Sequence, residues 1–374
     1  MEGQTPTQEV ASPSPTSLQQ GTSSIMAISE SPRFASALDA PVAQAKSTGS
    51  EIGSRCTRPV FVLGCPRSGT TVLYHMILSS GDFAGYPFES DTFRILGPKF
   101  PGLSSLRNRK RLLEFWLHSS NGTESGLYRS DIESRVYGEC RNIGDFLRIV
   151  MEEMCRKQGV RRWAEKTPDH VLSMTEIKRL IPDALIVHII RDGRDSALSL
   201  ANFGRIQPYI WQRGSKLLSF GVYWKWLVRK GRASGRKIGR DYYELHYEDL
   251  IEKPRETLAS LGDFIGHDLD YDRIDQIRVG SLSRPNSSFE KSGSEKGFNP
   301  VDRWKRQFPP EELAAFEALV GDCLEETGYF LATSPEQRHA ARTVLFSAFH
   351  ASQLEIKHQL KSHTPLRRFA GWKK

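Results

Sequence analysis

The chain has 374 residues, 38% of them apolar, and its longest apolar runs, such as Ala184 to Ile190, fall far short of the roughly 20 residues that a membrane-spanning helix needs. Five cysteines (Cys56, Cys65, Cys140, Cys155, Cys323) form no CxxC pair, and their odd number argues against a disulfide framework or a zinc site, so a reducing, cytoplasmic setting fits best. A formal net charge of +8 and a pI near 9.2 call for an anionic partner: nucleic acid, a membrane surface, or an anionic substrate in a basic cleft.

Residues 1–57 are rich in Ser, Thr, Pro, Gln and Ala without helical or strand periodicity and read as a disordered leader. They lack the basic start and apolar core of a secretory signal; sparse acids leave an organelle transit peptide open, although no Arg occurs before Arg33. From Pro59 the pattern becomes α/β. "PVFVLG" is a strand ending at Gly64, followed by a loop and a helix with Val72, Leu73, Met76 and Ile77 on one face. The stretch 83–137 reads as irregular. "KTPDHVLSMTEIKRLIPDA" reads as a helix, "LIVHII" as a buried strand, and "RDGRDSALSLANFG" as a loop feeding another helix. Trp211 to Gly235 suits a core-packing helix with a basic face. "YYELHY" (Tyr242 to Tyr247) is a third strand, preceding a helix that opens near Pro254, and "PPEELAAFEALVGDCLEETG" is a helix with Pro and acids at its start and Gly328 at its end. Strands alternating with helices imply a parallel sheet with right-handed crossovers.

The chemistry concentrates in two loops. "FVLGCPRSGTT" (Phe61 to Thr71) has the glycine spacing of a phosphate loop, but Thr70 stands where a Walker loop carries Lys. Backbone N–H groups and the positive end of the next helix still make an anion cradle. Thr70 and Thr71 add hydroxyls, and Arg67 adds a planar cation able to fork onto phosphate or sulfate oxygens. The missing lysine weakens the case for a triphosphate with its metal. "IIRDGRDSALSL" places Arg191 and Arg194 at the carboxyl end of a strand, with Ser196 and Ser199 on the following helix. In a parallel sheet both loops share one edge, which suits a nucleotide phosphorylated at two places; a surface turn with Arg–Asp ion pairs is the alternative for the second loop.

"GCPRSGTT", "EKTP" (Glu165 to Pro168), "RDGRDSALS" and "YEDL" (Tyr247 to Leu250), in this order, resemble the PAPS-dependent sulfotransferases, especially the branch with tyrosylprotein sulfotransferases and many bacterial enzymes. The resemblance runs from about Arg58 to Phe330 and implies a P-loop NTPase-like three-layer fold, a central parallel sheet flanked by helices. It implies that Arg67, Ser68, Gly69, Thr70 and Thr71 bind the 5′-phosphosulfate, that Arg191 and Ser199 bind the 3′-phosphate, and that Tyr247 lines the nucleotide pocket. A lysine ahead of "RWK" reaches the nucleotide in that family; Lys296 matches best, with Lys291 as fallback, and Ser281 or Ser283 corresponds to a serine near the transferred group. Lys166 would neutralise the leaving oxygen, and Glu89 would be the base that deprotonates the acceptor hydroxyl, with Glu124, Glu139 and Asp91 as rivals; His75 lies inside a helix and does not suit that role. Arg67 would also hold the sulfuryl oxygens.

These readings divide the chain into a leader (1–57), a sulfotransferase domain (58–332) and a basic helical extension (333–374). The expected reaction moves a sulfuryl group from PAPS to a hydroxyl acceptor (carbohydrate, lipid, or tyrosine/phenol), giving PAP and a sulfate ester, with no metal and no nucleic-acid partner. Sulfuryl transfer passes through a loose in-line transition state, for which positioned cations and helix amides suffice. One rival is a P-loop kinase or other nucleotide-binding protein, which needs Mg²⁺ and a Walker lysine. The other is a basic protein that binds nucleic acid or membrane through its tail, where Glu336 to Lys374 holds eight Lys or Arg and four His against two acids.

Overall fold

The computed structural model describes residues 55–86, 88–209, 214–277, 300–338 and 340–363, without the side chains of 340–343 and 361–363. Most of the expected leader, and Lys296 with Lys291, Ser281 and Ser283, therefore lie outside the described residues. Arg55, on the leader side of the expected boundary, is buried and donates to the carbonyls of Phe264 (3.2 Å) and Arg240 (3.0 Å).

In chain order the main elements are β1 (Val60–Gly64), α1 (Thr70–Ser79), β2 (Phe83–Gly85), α2 (Leu106–Leu117), α3 (Arg129–Gly138), α4 (Ile143–Gln158), β3 (Arg162–Lys166), α5 (Met174–Leu180), β4 (Leu185–Ile190) and α6 (Gly193–Phe203). They continue with α7 (Lys216–Ile238), β5 (Tyr242–His246), α8 (Tyr247–Glu252), α9 (Pro254–Ile265), α10 (Tyr271–Ile277), α11 (Pro310–Glu326) and α12 (Ala340–His363). Among the described residues the strands form one five-stranded sheet in the order β2-β3-β1-β4-β5, and every pairing is parallel. Register aligns Gly64 with Ile189 and Val62 with Lys166, so the loops leaving β1, β3 and β4 emerge along one edge.

Alternation along the strands builds two cores. Phe61, Leu63, Ile186 and Ile190 face one layer with α4, α5, α6, α7 and α11. Val60, Val62, Leu185, Val187 and Ile189 face the other, packed on Leu73, Met76 and Ile77 of α1 and Leu258, Leu261 and Ile265 of α9. Both faces are covered, which is why β1, and β4 apart from His188, read as apolar runs rather than alternating ones.

Three stretches differ from the sequence expectation. The segment from Lys166 is not one helix: β3 ends at Lys166, a 3₁₀ turn covers Pro168–Leu172, and the α-helix begins at Met174. Pro168, which fixes its own φ and disfavours helix in the residue before it, sets that break. Tyr247 is not in the strand but opens α8. The span taken as irregular contains α2 and α3, whose buried faces include Leu112, Leu113, Trp116, Ile132 and Val136.

Candidate active site

β1 delivers the phosphate loop to the sheet edge. Arg67 adopts a left-handed φ of 74°, and Gly69 sits at φ 92° immediately before α1, so the chain reverses sharply between strand and helix. A side chain on Gly69 would also put its Cβ 2.2 Å from the Tyr247 ring. No side chain caps α1, which leaves its first-turn N–H groups for another acceptor. Ser68 and Thr70 are buried, and Ser68 Oγ has no hydrogen-bond partner among the described atoms.

The loop after β4 meets this cradle. Arg191, 1% exposed, donates from Nη1 to the Arg67 carbonyl (3.1 Å) and from Nη2 to the Pro300 carbonyl (2.6 Å), and its guanidinium lies 4.6 Å from the Tyr247 ring centre. Arg67 in turn donates from Nε to Ser199 Oγ (3.0 Å) on α6. Arg67, Ser199, Arg191 and Tyr247 thus form one contact chain. Arg303 joins them at the start of a short helix: burial and then the Arg191 charge push the pKa values of both Arg67 and Arg303 down, and the Arg303 charge lowers that of Arg67 further. Guanidiniums crowded to this extent make a site that favours anions. Arg191 Nε and Ser196 Oγ are buried without a described partner.

Arg194 does something else. It donates to both oxygens of Asp192, pairs with Glu317 Oε1 (2.7 Å) and stacks 3.6 Å over Trp304. Those bonds anchor the α6 turn to α11 rather than offering a cation to a ligand. Asp192 is itself fixed, its N–H donating to Glu248 Oε1 (3.0 Å), while Tyr329 donates to the other Glu248 oxygen (2.8 Å).

On the other side of β1, Lys166 at the end of β3 has its Nζ 3.5 Å from Glu89 Oε1. Glu89 is half exposed, yet the protein around it raises its pKa more than Lys166 lowers it, with Asp169 and Glu165 adding to the rise. The segment carrying Glu89 is pinned from below by Glu165, which is 1% exposed. Ser90 Oγ and Thr167 Oγ1 donate to Glu165 Oε1, and His170 Nδ1 lies 3.2 Å from Oε2. The Phe93 N–H donates to His170 Nε2, which assigns the ring proton to Nδ1. Ser90 N–H donates to Thr167 Oγ1 (3.0 Å), and Asn121 donates to the Glu89 carbonyl (2.9 Å). Asp91, next along and at φ 50°, has its pKa pushed up to about 7 by burial and by Glu89. His75 lies within α1, its pKa lowered by burial and then by Lys166.

A sequence model described as "Sulfotransferase family" matches residues 59–271, more than half of the chain. The chain belongs to the sulfotransferase family. Its curated relatives include Nodulation protein NoeE of Sinorhizobium fredii (strain NBRC 101917 / NGR234), 23% identical over 298 residues; the match spans 72% of this chain and 65% of the relative, just under two thirds of that protein's length. Among solved structures, the sulfotransferase domain from the Synechococcus PCC 7002 olefin synthase is 19% identical with a TM-score of 0.46, covering 68% of this chain and 90% of that one. Mouse sulfotransferase SULT7A1, complexed with PAP, is 16% identical with a TM-score of 0.39, covering 80% and 94%. In this chain Arg67, Ser68, Gly69, Thr70, Thr71, Arg191, Tyr247 and Glu89 lie on the loops and helix starts that follow β1, β4, β5 and β2, Lys166 ends β3, and Ser199 lies in the second turn of α6. Sequence reasoning did not single out Arg303, Glu165, His170 or Glu248. Glu165 and Glu248 stood inside quoted motifs, "EKTP" and "YEDL", where only the neighbouring Lys166 and Tyr247 received roles.

Proposed function

We propose that this protein transfers a sulfuryl group from PAPS to a hydroxyl acceptor, releasing PAP and a sulfate ester. The observation that carries the reading is the chain of contacts Ser199–Arg67–Arg191–Tyr247, with Arg303 beside it: two loops expected to take two separate anionic groups converge on one crowded set of guanidiniums. Ser68 Oγ, Ser196 Oγ and Arg191 Nε supply buried donors that a doubly phosphorylated nucleotide would satisfy. In this reading the loop from Arg67 to Thr71 holds the phosphosulfate, Arg191 and Ser199 hold the 3′-phosphate, and Tyr247 lines the nucleotide pocket. Lys296, outside the described residues, keeps its expected place near the nucleotide.

PAPS supplies a sulfuryl group on a good leaving group. Glu89 accepts the proton of the acceptor hydroxyl as the new O–S bond forms and the bond from sulfur to the phosphate oxygen breaks. Lys166 neutralises charge on that departing oxygen, and its Nζ, 3.5 Å from Glu89 Oε1, keeps cation and base within reach of the same reacting centre. The raised pKa of Glu89 makes it a better base than an ordinary carboxylate. The acceptor class is a carbohydrate, lipid or phenolic hydroxyl meeting the side of the cleft formed by 83–137. Cys65, Cys140, Cys155 and Cys323 are buried thiols outside any described disulfide, in keeping with the reducing, cytoplasmic setting proposed here. A P-loop kinase fits less well, because Thr70 occupies the position of the Walker lysine.

Calorimetry in metal-free buffer with PAP, AMP and ATP tests the donor site: PAP should bind far more tightly than AMP, because Arg191 and Ser199 reward the 3′-phosphate. Equal weak binding of all three would sink the reading. Labelled PAPS offered with carbohydrate, lipid and phenolic acceptors then identifies the hydroxyl.

A further inference from the structure

An unusual surface lies on α12. This helix packs its inner face on α7 and on the segment before it: Lys357 donates to the carbonyls of Gln207 (3.0 Å) and Pro208 (2.8 Å), and Glu355 pairs with Lys230 (3.0 Å) and accepts from Trp226 (3.2 Å). His350 and Leu354 are buried on the same side. The described charges of the helix between 344 and 360 are therefore spent on the protein's own surface. The exposed positions over that span are Val344, Leu345, Ala348, Phe349, Ser352, Ile356, Gln359 and Leu360, none of them charged. Val344, Leu345 and Ile356 are 63%, 76% and 54% exposed. Leu345, Phe349, Ser352, Ile356 and Leu360 follow one another by four, three, four and four residues, so they share one face, about 24 Å long. A helix on a soluble protein normally does the reverse, turning its charges outward and its apolar stripe inward.

The sequence beyond this face says what covers it. After Glu355 the chain contains no acid, while beyond the exposed face Lys361, Arg367, Arg368, Lys373 and Lys374 are basic, and Phe369 and Trp372 lie among the last six residues. An uncharged apolar helical face continued by a basic, aromatic sequence matches an anionic lipid surface in both terms: apolar side chains for the acyl boundary, cations for the headgroups. A second copy of the chain, equally basic there, would bring like charges together. We propose that α12 and the basic sequence after it dock this protein on anionic membranes as a peripheral, interfacial helix. Among the described residues no helix is long and apolar enough to cross a membrane. The docking does not depend on sulfuryl transfer, so either can fail without the other.

Sedimentation of the full-length protein with sucrose-loaded vesicles tests this, using phosphatidylcholine alone and phosphatidylcholine mixed with phosphatidylglycerol. The anionic vesicles should carry down about tenfold more protein at low salt, and the excess should shrink as salt rises. Leu345→Glu combined with Ile356→Glu should abolish the sedimentation while thermal unfolding stays cooperative. Ser352→Glu, which charges the same face without removing an apolar contact, should weaken it should the double variant fail to fold. Wild-type protein left in the supernatant with anionic vesicles would overturn the proposal, as would the charged variants sedimenting like wild type. So would a stable dimer in sedimentation equilibrium that Ser352→Glu converts to monomer, because the face would then belong to a second copy.

Discussion

Single side chains carry the sharpest tests. Glu89→Gln keeps the size of the group and removes its basicity, so turnover should fall by about 10²–10⁴-fold while PAP affinity is kept, read by labelled-PAPS assay beside calorimetry. Activity needs this carboxylate ionised and its pKa is held above the ordinary 4.5, so kcat/KM should rise with pH through an inflection above that value; Glu89→Gln should erase the inflection. Ser199→Ala removes the acceptor for Arg67 Nε as well as a hydroxyl for the ligand. It should weaken PAP binding by about 1 kcal/mol, some fivefold, and leave AMP binding nearly unchanged. Sequence made much of this site legible, since glycine spacing and the position of arginines after apolar strands both follow local rules. The partners that set each residue's state were not legible. Ser90 and Asn121 reach Glu165 and Glu89 from 75 and 32 residues away, His170 reaches Glu165 across a turn, and nothing in their own neighbourhoods marks them.

At the scale of elements, the contrast between β1 and β3 is instructive. β1 and β4 were readable because their residues are apolar, His188 of β4 excepted. β3, "RWAEK", was not, since three of its five residues are charged, yet four of the five are buried. The fold tolerates this because Arg162 donates to the carbonyls of Arg58 and Ile265 and lies 4.6 Å from the Phe83 ring, while Glu165 collects the hydroxyls of Ser90 and Thr167 and the His170 ring. Buried charges that find hydrogen-bond partners escape much of the penalty that makes charged strands improbable, but these partners are distant in sequence. The joint between β1 and α1 gives a prediction of its own. Gly69→Ala must hold a methyl group at φ 92° against the Tyr247 ring, so it should cost about 1–3 kcal/mol and displace Tyr247 from Arg191. Chemical denaturation should register the loss, and PAP binding should drop with it.

Over the whole molecule, two buried glutamates set opposing pH dependences. Glu165 has its pKa held down: burial alone would raise it, but His170 and the two hydroxyls outweigh that. Its contribution is present above the unfolded pKa of about 4.3 and is lost as pH falls through the lower folded value. Glu248 has its pKa pushed up to about 7 by burial, so its contribution is full below about 4.3 and is lost as pH rises towards 7. Urea unfolding of wild type and Glu248→Gln should therefore differ with pH: the variant gains relative to wild type between pH 5 and 8, by up to about 3 kcal/mol, since Gln keeps an acceptor for the Asp192 N–H without the buried charge. A constant difference across that range would show that Glu248 does not titrate there. Gross architecture, a parallel sheet covered on both faces, was foreseeable from alternating strand and helix patterns. The strand order was not, because it depends on which apolar faces pair across long separations.

That order divides the site along β1. The strands on one side, β3 and β2, bring Lys166 and the segment with Glu89; those on the other, β4 and β5, bring Arg191, Ser199 and Tyr247. On the roles proposed above, the nucleotide contacts of Arg191, Ser199 and Tyr247 fall on one half of the sheet, and Glu89, the proposed acceptor base, falls on the other beside Lys166. Such a layout is modular: a chimera that exchanges 83–137 for the matching span of another member of the family should redirect transfer to a different hydroxyl while PAP binding is kept.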